Sequence, residues 1–431
     1  MTTWYKRISF DNLYLVGLLL LAFSMPIFRV ASTIPMVLLA IVWLIDPRWE
    51  AKLKKVGTNW LFWILISYFL WLIISISYTE QTAVGITDLR GKLPLLALPL
   101  IIGCIHFLSR KKIEYIFLSF LVGCVAGILM SLGYAIWIYL SEGENLFFYK
   151  DLFSLLHIHP SYFATYLIFG LFLMIYFLSR YKKLLNGFLK YLMIAAIFLF
   201  LAVIVLSSAR MQILISLFLI NTSILFYSVL RSRYMLLFLL LAFNGLVVSS
   251  VFVLEYPKKR LSDFNQLDYE FDQSKGWNGL TIRLALWQCS WELIREKPIL
   301  GVGTGAVKQD LMTIYKKHDF KVGIRNNYNP HNQYIQVWLA SGIIGLILFL
   351  SGLIVPLYYS VKHSSPLYLL FLVLMAIGMV SESMLELQNG VVFYAFYHSI
   401  FAFHWKIPPK KWLHGWVYTK KADPFRSRLK C

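Results

Sequence analysis

Charge is scarce in this 431-residue chain: 14% of residues are Asp, Glu, Lys or Arg, against 59% hydrophobic and 17% aromatic. That is too little polar surface to cover a soluble globule, so a polytopic membrane protein is implied. Acidic residues are scarcer still, 21 against 41 Lys and Arg. The resulting formal charge of +20 could suggest nucleic acid, yet most basic residues fall in short clusters between apolar runs. Such clusters report topology, and no nucleic-acid partner is expected. Cysteine is limited to Cys104, Cys124, Cys289 and Cys431, without the spacing of a disulfide framework or a zinc site. The acidic run Asp268, Glu270 and Asp272 lacks the glycine and distal glutamate of a calcium loop and reads as a solvated turn. We find no soluble domain, low-complexity linker or internal repeat, and expect no cofactor or metal.

What is abundant is apolar runs of the roughly 17 to 25 residues that a bilayer requires. They fall near 12–28, 31–45, 60–77, 92–108, 115–140, 161–179, 188–206, 211–229, 234–254, 333–359, 366–380 and 391–405. The predicted fold class is therefore an all-α polytopic membrane protein of about twelve transmembrane helices. Lys6 and Arg7 precede the first run as they would in a signal sequence, but no small-residue cleavage site follows, so that run reads as a retained helix.

Alternate connections differ in basic content. One set holds Arg48, Lys52, Lys54 and Lys55, then Arg110 to Lys112, then Arg180, Lys182, Lys183 and Lys190, then Arg231 and Arg233. These are predicted to be cytoplasmic, together with the N-terminus and the basic tail over 406–431. The opposite face carries one long insertion. The expected organisation is nine helices over 1–254, an outer loop over 255–330, and three more helices over 331–405. Within the loop, Ile282, Leu286, Cys289 and Leu293 at helical spacing predict an amphipathic helix from Thr281 to Glu296, with Trp287 and Trp291 suited to an interface. Pro298 should stop it, and Gly301, Gly303 and Gly305 should form a flexible turn. Those glycines do not follow a strand and open a helix, so they are weak evidence of phosphate binding.

The polar tract Tyr328-Asn329-Pro330-His331-Asn332 runs directly into an apolar helix. Asn329 suits an N-cap and Pro330 the first helical position, which places His331 in the first turn. There the helix dipole disfavours an imidazolium and welcomes an anion, so a neutral, basic imidazole beside a phosphate-bearing ligand is expected. An interfacial polar histidine is the plainer alternative. Arg210 lies in a link of about four residues, Ser207 to Arg210, and is pinned at the outer surface. Snorkelling is its plainer reading. Arg283 projects from the start of the amphipathic helix, where a solvated face is the alternative. Arg90 and Lys92 precede another outer-side span and carry less weight. His159, before Pro160, Ser161 and Tyr162, opens a span as a cap. Glu382 and Glu386 flank the last outer loop; either could orient a basic residue, but solvation of the loop is the simpler expectation.

His331-Asn332, nine residues, then Gly342-Ile343-Ile344-Gly345-Leu346 resembles the signature of the O-antigen ligase family, the membrane glycosyltransferases that finish bacterial lipopolysaccharide. Ser207 to Arg210 resembles that family's short arginine loop. Arg283 to Gly305 resembles the part of its large periplasmic loop that bears a second arginine. The resemblance implies a C-type glycosyltransferase architecture in the bacterial cytoplasmic (inner) membrane, with a periplasmic active site. It further implies transfer of a glycan from undecaprenyl pyrophosphate to an acceptor hydroxyl, usually on lipid A-core. His331 would then be the catalytic base and Arg210 and Arg283 the pyrophosphate ligands, with Asn332, His159, Arg90 and Glu382 as possible support. Polymerases and protein O-oligosaccharide ligases share the superfamily, so the acceptor stays open. A flippase or secondary transporter is the reading from another class, but it usually places ionisable residues near the bilayer midplane. Here the spans are almost free of charge at their centres. A metal-dependent glycosyltransferase would need acidic ligands in an early outer loop, where only Glu80 and Asp88 occur, eight residues apart.

Overall fold

The computed structural model describes residues 9–28, 30–231, 244–245 and 277–405. The ninth predicted span apart from 244–245, the loop residues before Trp277 with the acidic run Asp268 to Asp272, Lys6 and Arg7, the basic tail and Cys431 lie outside the described residues.

Among the described residues the regular structure is helical. In chain order the helices are α1 (Phe10–Ser24), α2 (Thr33–Ile45), α3 (Trp49–Gly57), α4 (Trp60–Ser75), α5 (Thr82–Lys92), α6 (Pro94–Cys104), α7 (Arg110–Glu142), α8 (Tyr149–Leu152) and α9 (Pro160–Arg180). They continue with α10 (Gly187–Leu206), α11 (Arg210–Arg231), α12 (Gly279–Glu296), α13 (Val307–Lys317), α14 (Lys321–Asn326), α15 (Gln333–Lys362), α16 (Pro366–Ser381) and α17 (Gln388–His404). Among the described residues, five apolar helices are long enough to cross a membrane: Trp60–Tyr78, Arg110–Glu142, Pro160–Arg180, Gly187–Leu206 and Gln333–Lys362. Shorter apolar helices include Phe10–Ser24, Thr33–Ile45 and Pro366–Ser381. The chain has the make-up of an all-α membrane protein.

Local sequence sets the helix ends. Asn59, Ser109 and Asn186 cap α4, α7 and α10 through their side-chain oxygens, and Gly143, at φ 73°, closes α7 in the left-handed region. The bundle is built around α9 and α17. The apolar window of α9 is 89% buried, against 17% for α10, so α9 is central and α10 peripheral. Phe120 on α7, Phe169 on α9 and Phe393 and Tyr397 on α17 pack their rings against one another, with centroids 4.7 to 5.9 Å apart. Between helices in lipid, where the solvent is as apolar as the core, this close packing supplies the cohesion.

Polar interactions collect at the two ends of the bundle. At one end, buried Glu114 faces Arg110 at 3.5 Å and Arg180 at 3.8 Å and accepts from the Tyr176 and Tyr181 hydroxyls, tying α7 to α9. The other end carries the segment from α12 to α14 and the residues described below.

That segment departs from the expectation of a loop with one amphipathic helix. Helices α12, α13 and α14 enclose a second hydrophobic core of their own, including Leu286, Cys289, Leu311, Tyr315 and Phe320, which Leu339 and Ala340 of α15 complete. The amphipathic helix itself begins two residues earlier than predicted. Asn278 caps it, accepting from Leu280 and Thr281 amides, while the Thr281 hydroxyl accepts from the Asn278 amide. This reciprocal box fixes where the helix bearing Arg283 starts.

Candidate active site

Helix α15 begins at the predicted junction, but with a different cap. Asn332, not Asn329, is the N-cap: its side-chain oxygen accepts from the Tyr334 amide at 3.0 Å and the Ile335 amide at 3.1 Å. His331 therefore lies just outside the helix rather than in its first turn. Its backbone is left-handed, φ 48°, a conformation that costs a residue bearing a Cβ about 1–2 kcal/mol. Three contacts hold it. The Asn329 side chain accepts from the His331 amide at 2.9 Å, the Trp287 indole donates to the Pro330 carbonyl at 2.9 Å, and the Asn332 amide donates to the Ser383 hydroxyl at 3.2 Å. The Tyr328 ring stands edge-on to the imidazole, centroids 5.3 Å apart.

The imidazole faces an anion as well as a helix end. His331 Nδ1 is 3.0 Å from Glu382 Oε2, and the other carboxylate oxygen, Oε1, accepts from Arg283 Nη2 at 3.1 Å. The expectation that Glu382 and Glu386 solvate a loop is thus wrong for both. Glu382 is 7% exposed and bridges the two basic residues, and Glu386 pairs with buried Lys92 at 2.8 Å. Both carboxylates turn inward because cations wait for them there, which sequence spacing does not reveal.

An ionised carboxylate only accepts, so Glu382 requires the proton on Nδ1 and leaves the Nε2 lone pair of His331 free to take a proton. Burial pushes the Glu382 carboxyl up, but the His331 hydrogen bond and the electrostatic pull of His331, Arg283 and His159 more than offset it, and it lies below the usual carboxylate value. Arg283 also donates from Nε to the Ser381 carbonyl at 3.3 Å and from Nη1 to the Gly279 carbonyl at 3.1 Å. Three of its five N–H groups are engaged, and its side chain is 30% exposed, leaving two donors for a ligand.

His159 caps α9, its Nδ1 accepting from the Ser161 amide at 3.4 Å with Pro160 in the first helical position. Burial holds it below the ordinary histidine value; the charge of Glu382 opposes this, while Lys150, His331 and Arg283 reinforce it. It is thus a neutral ring at the same end of the bundle. Arg210 opens α11, which packs against α9 and α16, the helices that border His159 and Glu382. The helical hairpin α9–α10 returns the chain to the His159 end before Arg210, so Arg210 sits at that end too. Arg90 is exposed on α5 and joins none of these groups among the described contacts.

The glycines of the motif have a structural task. At Gly342, φ 66° and ψ −170°, α15 is broken, and a Cβ there would stand 1.9 Å from the Ile299 carbonyl oxygen. The turn after Pro298 fills the break: the Val302 amide donates to the Leu339 carbonyl at 2.8 Å and the Ile343 amide to the Pro298 carbonyl at 3.0 Å. These bonds satisfy backbone groups that the interrupted helix strands in an apolar setting. A Cβ on Gly301, at φ 71°, would stand 2.4 Å from the Leu339 carbonyl oxygen, and Gly303 and Gly305 abut Thr79 and Gln81. The expected flexible turn is a packed plug.

Residues 194–350 match the family model described as O-antigen ligase, a span that contains Arg210, Arg283, His331 and the Gly342 break. Over 125 residues the chain is 24% identical to a protein of Haemophilus influenzae described as uncharacterized. That alignment covers 27% of this chain and 31% of the relative, so the chain spans under a third of that protein's length.

Proposed function

We propose, from the premise that the chain belongs to the O-antigen ligase family, that it transfers a glycan from undecaprenyl pyrophosphate to a hydroxyl of lipid A-core at the periplasmic face of the inner membrane. The observation that carries this reading is the Arg283–Glu382–His331 constellation within the matched family segment and beside it. In the reaction, His331 Nε2 takes the acceptor O–H proton as that oxygen attacks the anomeric carbon. The bond from that carbon to the pyrophosphate oxygen breaks, and the electron pair leaves with the lipid pyrophosphate. The free donors of Arg283, with Arg210, stabilise the charge developing there. Asn332 fixes the backbone that presents His331, and His159 adds a neutral polar face. Donor, acceptor proton and leaving group are all accounted for by side chains of this chain.

The acceptor decides between the ligase and its polymerase and protein-ligase relatives. The test is a purified enzyme in lipid nanodiscs given polyprenyl pyrophosphate-linked glycan and lipid A-core. Capped lipid A-core supports the ligase reading. Extension of one lipid-linked glycan by another, with lipid A-core untouched, replaces it with polymerase. No transfer to any hydroxyl refutes the glycosyltransferase reading.

A further inference from the structure

The mechanism above leaves the buried cation Lys92 unused. Lys92 is 2% exposed at the end of α5, and its ammonium lies 2.7 Å from Asp88 and 2.8 Å from Glu386. Asp88 in turn accepts from the Thr304 hydroxyl in the plug. Glu386 closes the 3-10 turn Met384–Glu386, four residues after Glu382. A buried ion pair seldom adds net stability over apolar packing, and its best-attested use is to fix one arrangement among several. Here it joins α5 and the plug to the connection between α16 and α17.

We infer that Lys92 is a positioning residue: its pair with Glu386 latches the short connection from Glu382 to Leu387 in the register that presents the Glu382 carboxylate to His331. The inference rests on the roles proposed for His331 and Glu382. The connection is held at both ends. Glu382 is engaged by His331 and Arg283, the Leu385 amide donates to Gln333 Oε1 at 2.6 Å, and Glu386 is engaged by Lys92. Leu385 and Met384 are buried, but apolar burial resists a slide of the turn only weakly, whereas the ion pair admits one position. Lys92 touches no group that contacts substrate in the proposed reaction, so its effect reaches the chemistry through Glu382. Loss of the latch therefore affects the proton-transfer step and spares the donor site.

Glu386→Gln tests this without orphaning a charge, since Lys92 keeps Asp88. Lys92→Met with Glu386→Gln removes the pair together. Two measurements are made on the full-length protein in nanodiscs. The first is amide hydrogen exchange of residues 383–387, where both variants should exchange about tenfold faster than wild type while α9 and α17 keep their protection. The second is transfer kinetics. There kcat should fall about 10- to 100-fold, the cost of displacing a reacting group by about an ångström, with donor affinity within about threefold of wild type. Unchanged exchange in both variants overturns the latch whatever the enzyme's substrate is. Faster exchange with wild-type kcat overturns the positioning role. Loss of donor affinity with kcat intact means that Lys92 serves the donor site directly, and overturns it as well. A wild-type enzyme that transfers nothing indicts the proposed function, and the exchange measurement still decides the latch.

Discussion

Glu382→Gln isolates the contribution of the carboxylate from that of the base. The side chain is isosteric, 10% exposed, and bonded on one oxygen to His331 and on the other to Arg283. With the amide oxygen turned to Arg283, the amide nitrogen faces His331 Nδ1 and can only donate to it. That selects the tautomer with the proton on Nε2, where a base needs its lone pair. With the amide turned the other way, a nitrogen confronts the guanidinium, which has no acceptor to offer. Either arrangement costs the base. General base catalysis contributes roughly 10²- to 10⁴-fold, so turnover should fall by an amount in that range, about 3–5 kcal/mol of transition-state stabilisation at about 1.4 kcal/mol per decade. Donor affinity should hold or tighten, because Arg283 keeps its charge and loses a competing anion. The assay is single-turnover transfer at saturating donor, with donor binding measured separately on the same preparation. If Glu382→Gln retained near-normal turnover, the His331–Glu382 bond would be structural, and the assignment of Nε2 as the base would fall with it.

His331→Ala should reduce turnover by a similar 10²- to 10⁴-fold with donor binding largely intact, and a defect confined to binding would return His331 to a structural role. Arg283→Lys and Arg210→Lys keep a charge but lose the planar fork that holds two phosphate oxygens, so both affinity and rate should drop in titrations with the lipid-linked donor; wild-type behaviour of either would remove it from the site. Gly342→Ala places a methyl 1.9 Å from the Ile299 carbonyl oxygen and should expel the plug, read as a lowered melting temperature and proteolysis near Pro298; a wild-type melt would contradict the close approach. Stability should respond to pH in two windows. His159, held below its ordinary value of 6.5, binds its proton more readily unfolded, so its contribution is whole above that pH and declines below it. Glu382, likewise depressed, contributes above the ordinary carboxylate value of 4.5 and loses its contribution as pH falls further. Melting curves of His159→Gln and Glu382→Gln should therefore converge on wild type from different pH values, and parallel curves would refute the assignment.

The five long apolar helices among the described residues were legible because apolar runs of bilayer length have few alternatives. Their ends were legible where one residue could cap, as at His159 with Pro160, and illegible where two could. Asn329 and Asn332 are equivalent by type, and Pro330 favours the first. The choice falls to Asn332 because its amide reaches Ser383, a contact made across 51 residues of sequence. The same distance hid the partner of His331. Glu382 follows an apolar helix, where a carboxylate looks like the start of a solvated loop; only the packing of α16 beside α15 brings His331 and Arg283 to it. Its one advance signal was scarcity, since a chain with 21 acidic residues spends few of them without a cation nearby.

The glycines show the converse case, in which residues carried a family resemblance before any physical reason for them was visible. Gly342 lies eleven residues past His331 and touches none of the groups assigned to chemistry. Its lack of a side chain admits the Ile299 carbonyl into the gap in α15, and the two backbone bonds made there fasten the segment holding Arg283 to the helix that follows His331. That fastening adds to the Trp287–Pro330 bond and to the core that Leu339 and Ala340 complete, which hold the same two elements together. The break in the helix therefore helps to set the distance between the proposed base and the proposed pyrophosphate ligand, which is why a motif read for its histidine depends on its glycine.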